Sequence, residues 1–156
     1  MLTESQVIAA VCHFLKQRRF QIKQQLSEKQ KGYDIIAVAP DGKEVVIEAK
    51  GETSSMAHTN RFGKEFSTSQ IFDHVSKAVY CAATYVSKNI PGGIALPMNK
   101  GHQKHVAAIL PALKALEIEV FWVPPSGEVQ VAGHWPWWAN STVETAARKS
   151  GARGSP

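Results

Sequence analysis

Two β-rich runs, Tyr33 to Ala39 (YDIIAVA) and Glu44 to Lys50 (EVVIEAK), are joined by Pro40-Asp41-Gly42, and this spacing constrains the fold more than any other feature of the chain. Asp-Gly at the junction favours a tight hairpin, so the two runs pair as antiparallel strands. A hairpin that sets Ala39 against Lys43 puts Asp34 directly across from Glu48, where cross-strand Cβ atoms lie about 4.5–5.5 Å apart. The two-residue period of a strand then brings Lys50 onto the face of Glu48. Like charges directly opposite destabilise a hairpin unless a cation or another partner compensates, so two facing acids with an adjacent lysine read as a site. Ile35 to Val38 and Val45 to Ile47 are apolar on both faces, which predicts helices covering the sheet on both sides.

The remaining elements alternate around this hairpin. Thr3 caps a helix over about 4–18, with Gln6 completing a capping box and Val7, Ile8, Val11, Phe14 and Leu15 at helical spacing. Phe20 to Leu26 alternates as a half-exposed strand does, before a polar turn from Ser27 to Gly32. Gly51 to Ser67 has no periodicity, and loops of that length usually carry function or are disordered. From Thr68 to Lys88, an apolar stripe of Ile71, Phe72, Val75, Val79, Ala82 and Val86 predicts an amphipathic helix, with Gln70, His74 and Lys77 on another face. Gly93 to Pro97 is a short buried strand, 101–116 a helix despite Pro111, and Ile118 to Val123 a strand closing a crossover unit. Glu128 to Val131 adds a short strand. The order αβββαβαβ describes an α/β sandwich.

In this order, the Asp34 strand followed by Glu48-Ala49-Lys50 resembles the PD-(D/E)XK nuclease superfamily over residues 3–123. The resemblance implies a restriction-endonuclease-like three-layer sandwich, with a mixed central sheet between helices. It assigns metal binding to Asp34 and Glu48 and activation of water to Lys50. It also points to Glu4 on the first helix as a further metal ligand, and to Gln70, His74 and Lys77 on the helix after the lysine. Tyr33 stands where the family often has proline. DNA cleavage in repair, recombination or defence is the setting the resemblance implies.

The chemistry of the residues agrees. Mg²⁺ takes hard oxygen ligands and keeps several waters, so Asp34, Glu48 and the Ala49 carbonyl make an adequate open site, in which Mn²⁺ would substitute. An adjacent ammonium can orient water or stabilise charge developing on a phosphate. Arg61 and Lys64 in the long loop are candidates for holding substrate phosphates, with Asn60, His58 and Gly63 suited to a mobile clamp. Lys100, His102, Lys104 and His105 open the next helix as a basic solvent face.

One domain over 1–138 with a flexible basic tail over 139–156 accounts for the length of 156 residues, and the formal charge of +5 suits an anionic partner such as nucleic acid. Cys12 and Cys81 read as core thiols, without a disulfide framework or zinc-ligand spacing. No secretory leader and no apolar stretch of about 20 residues is visible, which predicts a cytoplasmic protein without a membrane span. Trp135, Trp137 and Trp138 read as a flap sealing the sheet or a subunit contact rather than a base-stacking platform. A noncatalytic nucleic-acid- or protein-binding domain keeping the nuclease fold is the alternative to an enzyme. DNA or RNA, single strands or duplexes, and a monomer or homodimer all stay open.

Overall fold

The computed structural model describes residues 1–26, 30–54 and 63–138. Its elements run α1 (Glu4–Gln17), β1 (Gln21–Gln25), β2 (Ile35–Val38), β3 (Glu44–Ala49), α2 (Thr68–Val86), β4 (Gly92–Pro97), α3 (Lys100–Ala107), α4 (Leu110–Ala115), β5 (Glu119–Val123) and β6 (Gln130–Val131), with a final 3-10 turn at Pro136–Trp138. The strands form one mixed sheet in the order β1-β2-β3-β4-β5-β6. The first three are antiparallel, β3, β4 and β5 are parallel, and β6 returns antiparallel to β5.

The hairpin has the expected register: Ile35 pairs with Ile47, Ala37 with Val45, and Val38 with Glu44. Ala39 N–H donates to the Lys43 carbonyl, and Gly42 N–H to the Ala39 carbonyl. Gly42 adopts φ +87°, a conformation that costs glycine little and side-chain-bearing residues more. At the open end, the ladder stops at Ile35, two residues later than the Tyr33 start read from sequence. There the Ala49 N–H turns to Asp34 Oδ2 at 2.8 Å, and the Tyr33 carbonyl accepts from Gln24 Nε2 at 2.6 Å. Side chains thus replace the ladder where the site begins.

Helices cover both faces. On one, α1 buries Val7, Ile8, Val11, Phe14 and Leu15 against Ile35, Ala37, Val45, Ile47 and Phe121. Its N-terminus is the expected capping box, in which the Gln6 N–H donates to Thr3 Oγ1 and the Thr3 N–H to Gln6 Oε1. On the other face, α2, α3 and α4 enclose Ile94, Leu96, Ile118 and Val120. The buried stripe of α2 is Val75, Ala78, Ala82 and Tyr85, whereas Phe72 is exposed, contrary to the periodic reading. The single helix expected over 101–116 is two. Pro111 has no N–H for the preceding turn and its ring crowds the carbonyl four residues back, so a new helix starts at Leu110.

The tryptophan segment packs on the sheet as a flap. Trp135 meets Phe121 edge-on at 5.5 Å, and Trp138 stacks on Phe20 at 5.8 Å. Glu119, fully buried, binds the flap through the N–H groups of Gly133, Trp135 and the Trp138 indole. Among the described residues, no helix is long and apolar enough to cross a membrane. The tail over 139–156 lies outside the described residues.

Candidate active site

Asp34, Glu48 and Lys50 come together at the end of the hairpin, on the face covered by α2. The Lys50 ammonium lies 2.7 Å from Glu48 Oε1 and 2.8 Å from the Ala49 carbonyl oxygen. Asp34 Oδ2 is 4.0 Å away and Glu4 Oε2 3.8 Å. Glu4 reaches this point because Gly51 lets the chain leaving β3 run directly under the first turn of α1. A Cβ at position 51 would lie 2.5 Å from the Glu4 nitrogen and 2.9 Å from the Thr3 carbonyl carbon. The crossing is fastened by the Glu52 N–H, which donates to the Leu2 carbonyl, and by the Leu2 N–H, which donates to Glu52 Oε1.

The electrostatics follow from partial burial of like charges. Burial pushes the Asp34 carboxyl above its usual range; the Ala49 N–H opposes this, Glu48 adds to it and Lys50 opposes it. For Lys50, burial pulls down, but the charge and hydrogen bond of Glu48, then Glu4 and Asp34, outweigh it and hold the ammonium above its ordinary value. Tyr85 Oη donates to Glu48 Oε2 at 3.4 Å, and the Tyr33 ring meets that of Tyr85 edge-on at 5.1 Å. Cys81 stands one turn before Tyr85. Burial, then the Glu48 charge, push its thiol up, so it stays protonated and weakly nucleophilic.

The other expected site residues scatter. The Gln70 side-chain oxygen Oε1 accepts the Ser67 N–H, closing the α2 capping box rather than reaching the carboxylates. His74 is half-buried, packed edge-on against Phe66 at 4.6 Å, with its pKa lowered by burial and then by the Lys50 charge. Lys64 and Lys77 are exposed. Arg61, Asn60 and His58 lie outside the described residues. His102 is not on a solvent face: it is fully buried, with Nδ1 2.9 Å from Asn99 Oδ1. Asn99 caps α3 and donates through Nδ2 to Glu52 Oε2 at 2.6 Å, so one chain of contacts ties α3, the segment after Lys50 and the start of α1. Neither Glu52 nor Asn99 stood out in the sequence. Asn99 ahead of an eight-residue helix is a recognisable N-cap, but the Glu52 contacts join positions 47 and 50 residues apart.

The donor set suits a hard divalent cation. Among the described residues, no group of three or more His, Cys, Asp and Glu is disposed to hold an ion. The fit therefore rests on Asp34, Glu48 and the Ala49 carbonyl, a set that leaves room for the waters Mg²⁺ keeps. A separate cavity of about 290 Å³, between Lys43, Ile90, Leu116 and Trp137 among others, lies at the opposite end of the sheet and shares no residue with this cluster.

The family described as the C-terminal region of Protein NO VEIN matches residues 3–74, just under half of the chain. That stretch holds Glu4, Asp34, Glu48, Lys50 and the start of α2. Among solved structures, the chain is similar to Pyrococcus furiosus SfsA in complex with Ca²⁺, with a TM-score of 0.40 and 13% identity. The similarity covers 80% of this chain and 62% of that one, so the chain spans less than two thirds of that protein's length. No curated protein matches.

Proposed function

We propose that the protein is a Mg²⁺-dependent nuclease of the restriction-endonuclease-like class, hydrolysing phosphodiester bonds of nucleic acid, DNA before RNA. The observation that carries this reading is the convergence of the Asp34 and Glu48 carboxylates, the Ala49 carbonyl and the Lys50 ammonium at the mouth of one hairpin, with Glu4 within ion-pair distance. Asp34, Glu48 and the Ala49 carbonyl would hold the metal. A bound Mg²⁺ supplies a Lewis acid for a phosphoryl oxygen and a more acidic water.

The rest is done by the chain. The Ala49 N–H fixes the Asp34 carboxylate, and the Tyr85 hydroxyl bonds the Glu48 oxygen that Lys50 leaves free. Lys50 brings three donors and a positive charge to the place where a phosphate gains negative charge. Lys64 and Lys77, exposed on α2 and the segment before it, would add cations that attract the backbone of a polyanion.

The test is cleavage of supercoiled plasmid and of labelled single strands in Mg²⁺ or Mn²⁺, with EDTA, Glu48→Ala and Lys50→Ala controls. Metal-dependent nicking abolished by both substitutions is the expected result. Metal binding that requires Asp34 and Glu48 but is accompanied by no cleavage would mean that the substrate is of another class. Loss of both would favour a noncatalytic nucleic-acid- or protein-binding domain.

A further inference from the structure

Four oxygens that a metal would use or pass close to are already gathered around a cation, the Lys50 ammonium. Two of them, Glu48 Oε1 and the Ala49 carbonyl oxygen, are within hydrogen-bond distance of Nζ, and the Glu4 and Asp34 oxygens are within ion-pair distance. A divalent ion bound to Glu48 and Ala49 would compete for the oxygens that now accept the protons of Nζ, and would repel the ammonium across a short, poorly solvated gap. The two cations therefore exclude each other from this position.

We propose that Lys50 is the resident counter-ion of the metal site, which a divalent cation must displace, so that Lys50 sets the affinity of the site and is released toward the substrate by metal binding. This rests on the metal reading above. Three features support it. Asp34 and Glu48 against one ammonium leave a formal negative charge, a field that draws in a doubly charged ion in preference to a singly charged one. Lys50 directly follows the last residue of β3, and its flexible four-carbon stem can re-aim the ammonium without moving the strand. Its side chain also retains 14% exposure, so a path to solvent is open. Under this exchange the carboxylates never face one another uncompensated, with or without metal.

Calorimetric titration of Mn²⁺ and Mg²⁺ into the metal-free full chain tests the proposal without relying on activity. Lys50→Met is expected to bind Mn²⁺ about tenfold more tightly than the wild type while losing cleavage. Lys114→Met, which removes the same charge from the exposed side of α4 away from the carboxylates, should leave the affinity unchanged, and Glu48→Gln should abolish binding. Equal or weaker binding by Lys50→Met overturns the exchange. If neither protein binds a divalent ion, the metal reading itself fails, which is a different result. Lys50→Gln serves where Lys50→Met does not fold. A crystal structure of the wild type with Mn²⁺ gives an independent decision: Nζ should have left Glu48, and finding it still hydrogen-bonded there beside the ion would refute displacement.

Discussion

Glu119 shows at the scale of one residue how a charge is kept inside a core. Its carboxylate is fully buried and accepts four N–H donors: Val120 and Gly133 on Oε1, the Trp135 backbone and the Trp138 indole on Oε2. Glu119→Gln would set an amide N–H against one pair of these donors, and unfolding in urea should show a loss of about 1–3 kcal/mol, with the indole emission reporting release of the flap. The strand around it is readable from sequence, but its donors are not, because three of them arrive from 14 to 19 residues downstream. His102 is the second case. It stands among Lys100, Lys104 and His105 and reads as part of a basic surface, yet burial pushes its imidazole down to about 4, with Glu52 opposing and His74 and His105 adding to the shift. In the unfolded chain the ring titrates near its ordinary value, so between roughly pH 6.5 and 4 the unfolded state takes up the proton that the fold refuses. The stability of the neutral ring is whole above pH 6.5 and is lost as pH falls toward 4, a difference on the order of 3 kcal/mol. Denaturation profiles of wild type and His102→Leu at several pH values should converge in acid; parallel profiles would disprove the account.

At the scale of elements, the crossing of α1 over the end of β3 decides whether the site is complete. Asp34, Glu48 and Lys50 share one hairpin, and their approach follows from a turn and a two-residue period, which is why those three are legible from the chain alone. Glu4 comes from a helix, and it lies near Lys50 only because position 51 has no side chain. Gly51→Ala would force the Glu4 nitrogen and the Thr3 carbonyl away by several tenths of an ångström or more, loosening the first turn of α1 and its bonds to Glu52. The expected cost is about 1–3 kcal/mol of stability, together with weaker metal binding than in the wild type, measured by thermal melting and by Mn²⁺ titration of the same preparation. A variant that melts lower but binds Mn²⁺ as before would show that Glu4 does not serve the site. The split of 100–115 into α3 and α4 has an equally local cause in Pro111, and that signal stands in the sequence for any reader who lets the proline end a helix rather than pass through it.

At the scale of the whole molecule, Glu4, Asp34, Glu48, Lys50 and Glu52 cluster at one pole of the sheet. β3 and β4 run parallel and end beside Lys50, whose N–H donates to the Ala95 carbonyl. The N-termini of α1, α2 and α3 face the same pole: α1 through Leu2 and Glu52, α2 through the Phe66 N–H that donates to the Glu52 carbonyl, and α3 through Asn99 and Glu52. Helix N-termini carry partial positive charge, and α/β sheets bind ligands outside the carboxyl ends of their strands, so this pole suits an anion although its centre is acidic. Under the proposed nuclease reading, the acids would make the centre repel a phosphate until a cation intervenes, whereas the exposed Lys64 and Lys77 would attract it throughout. Substrate attraction and metal dependence should therefore separate. In EDTA, binding to a labelled oligonucleotide should persist and weaken as salt rises, and Lys77→Ala should reduce the slope of log K against log salt by about 0.7 on single strands and 0.9 on duplex. Glu48→Gln, which removes a negative charge from the same pole, should strengthen that metal-free binding while abolishing cleavage. If Glu48→Gln instead left binding in EDTA unchanged, the nucleic acid would be held at another surface, and the acidic centre would not be the place where its phosphate reacts.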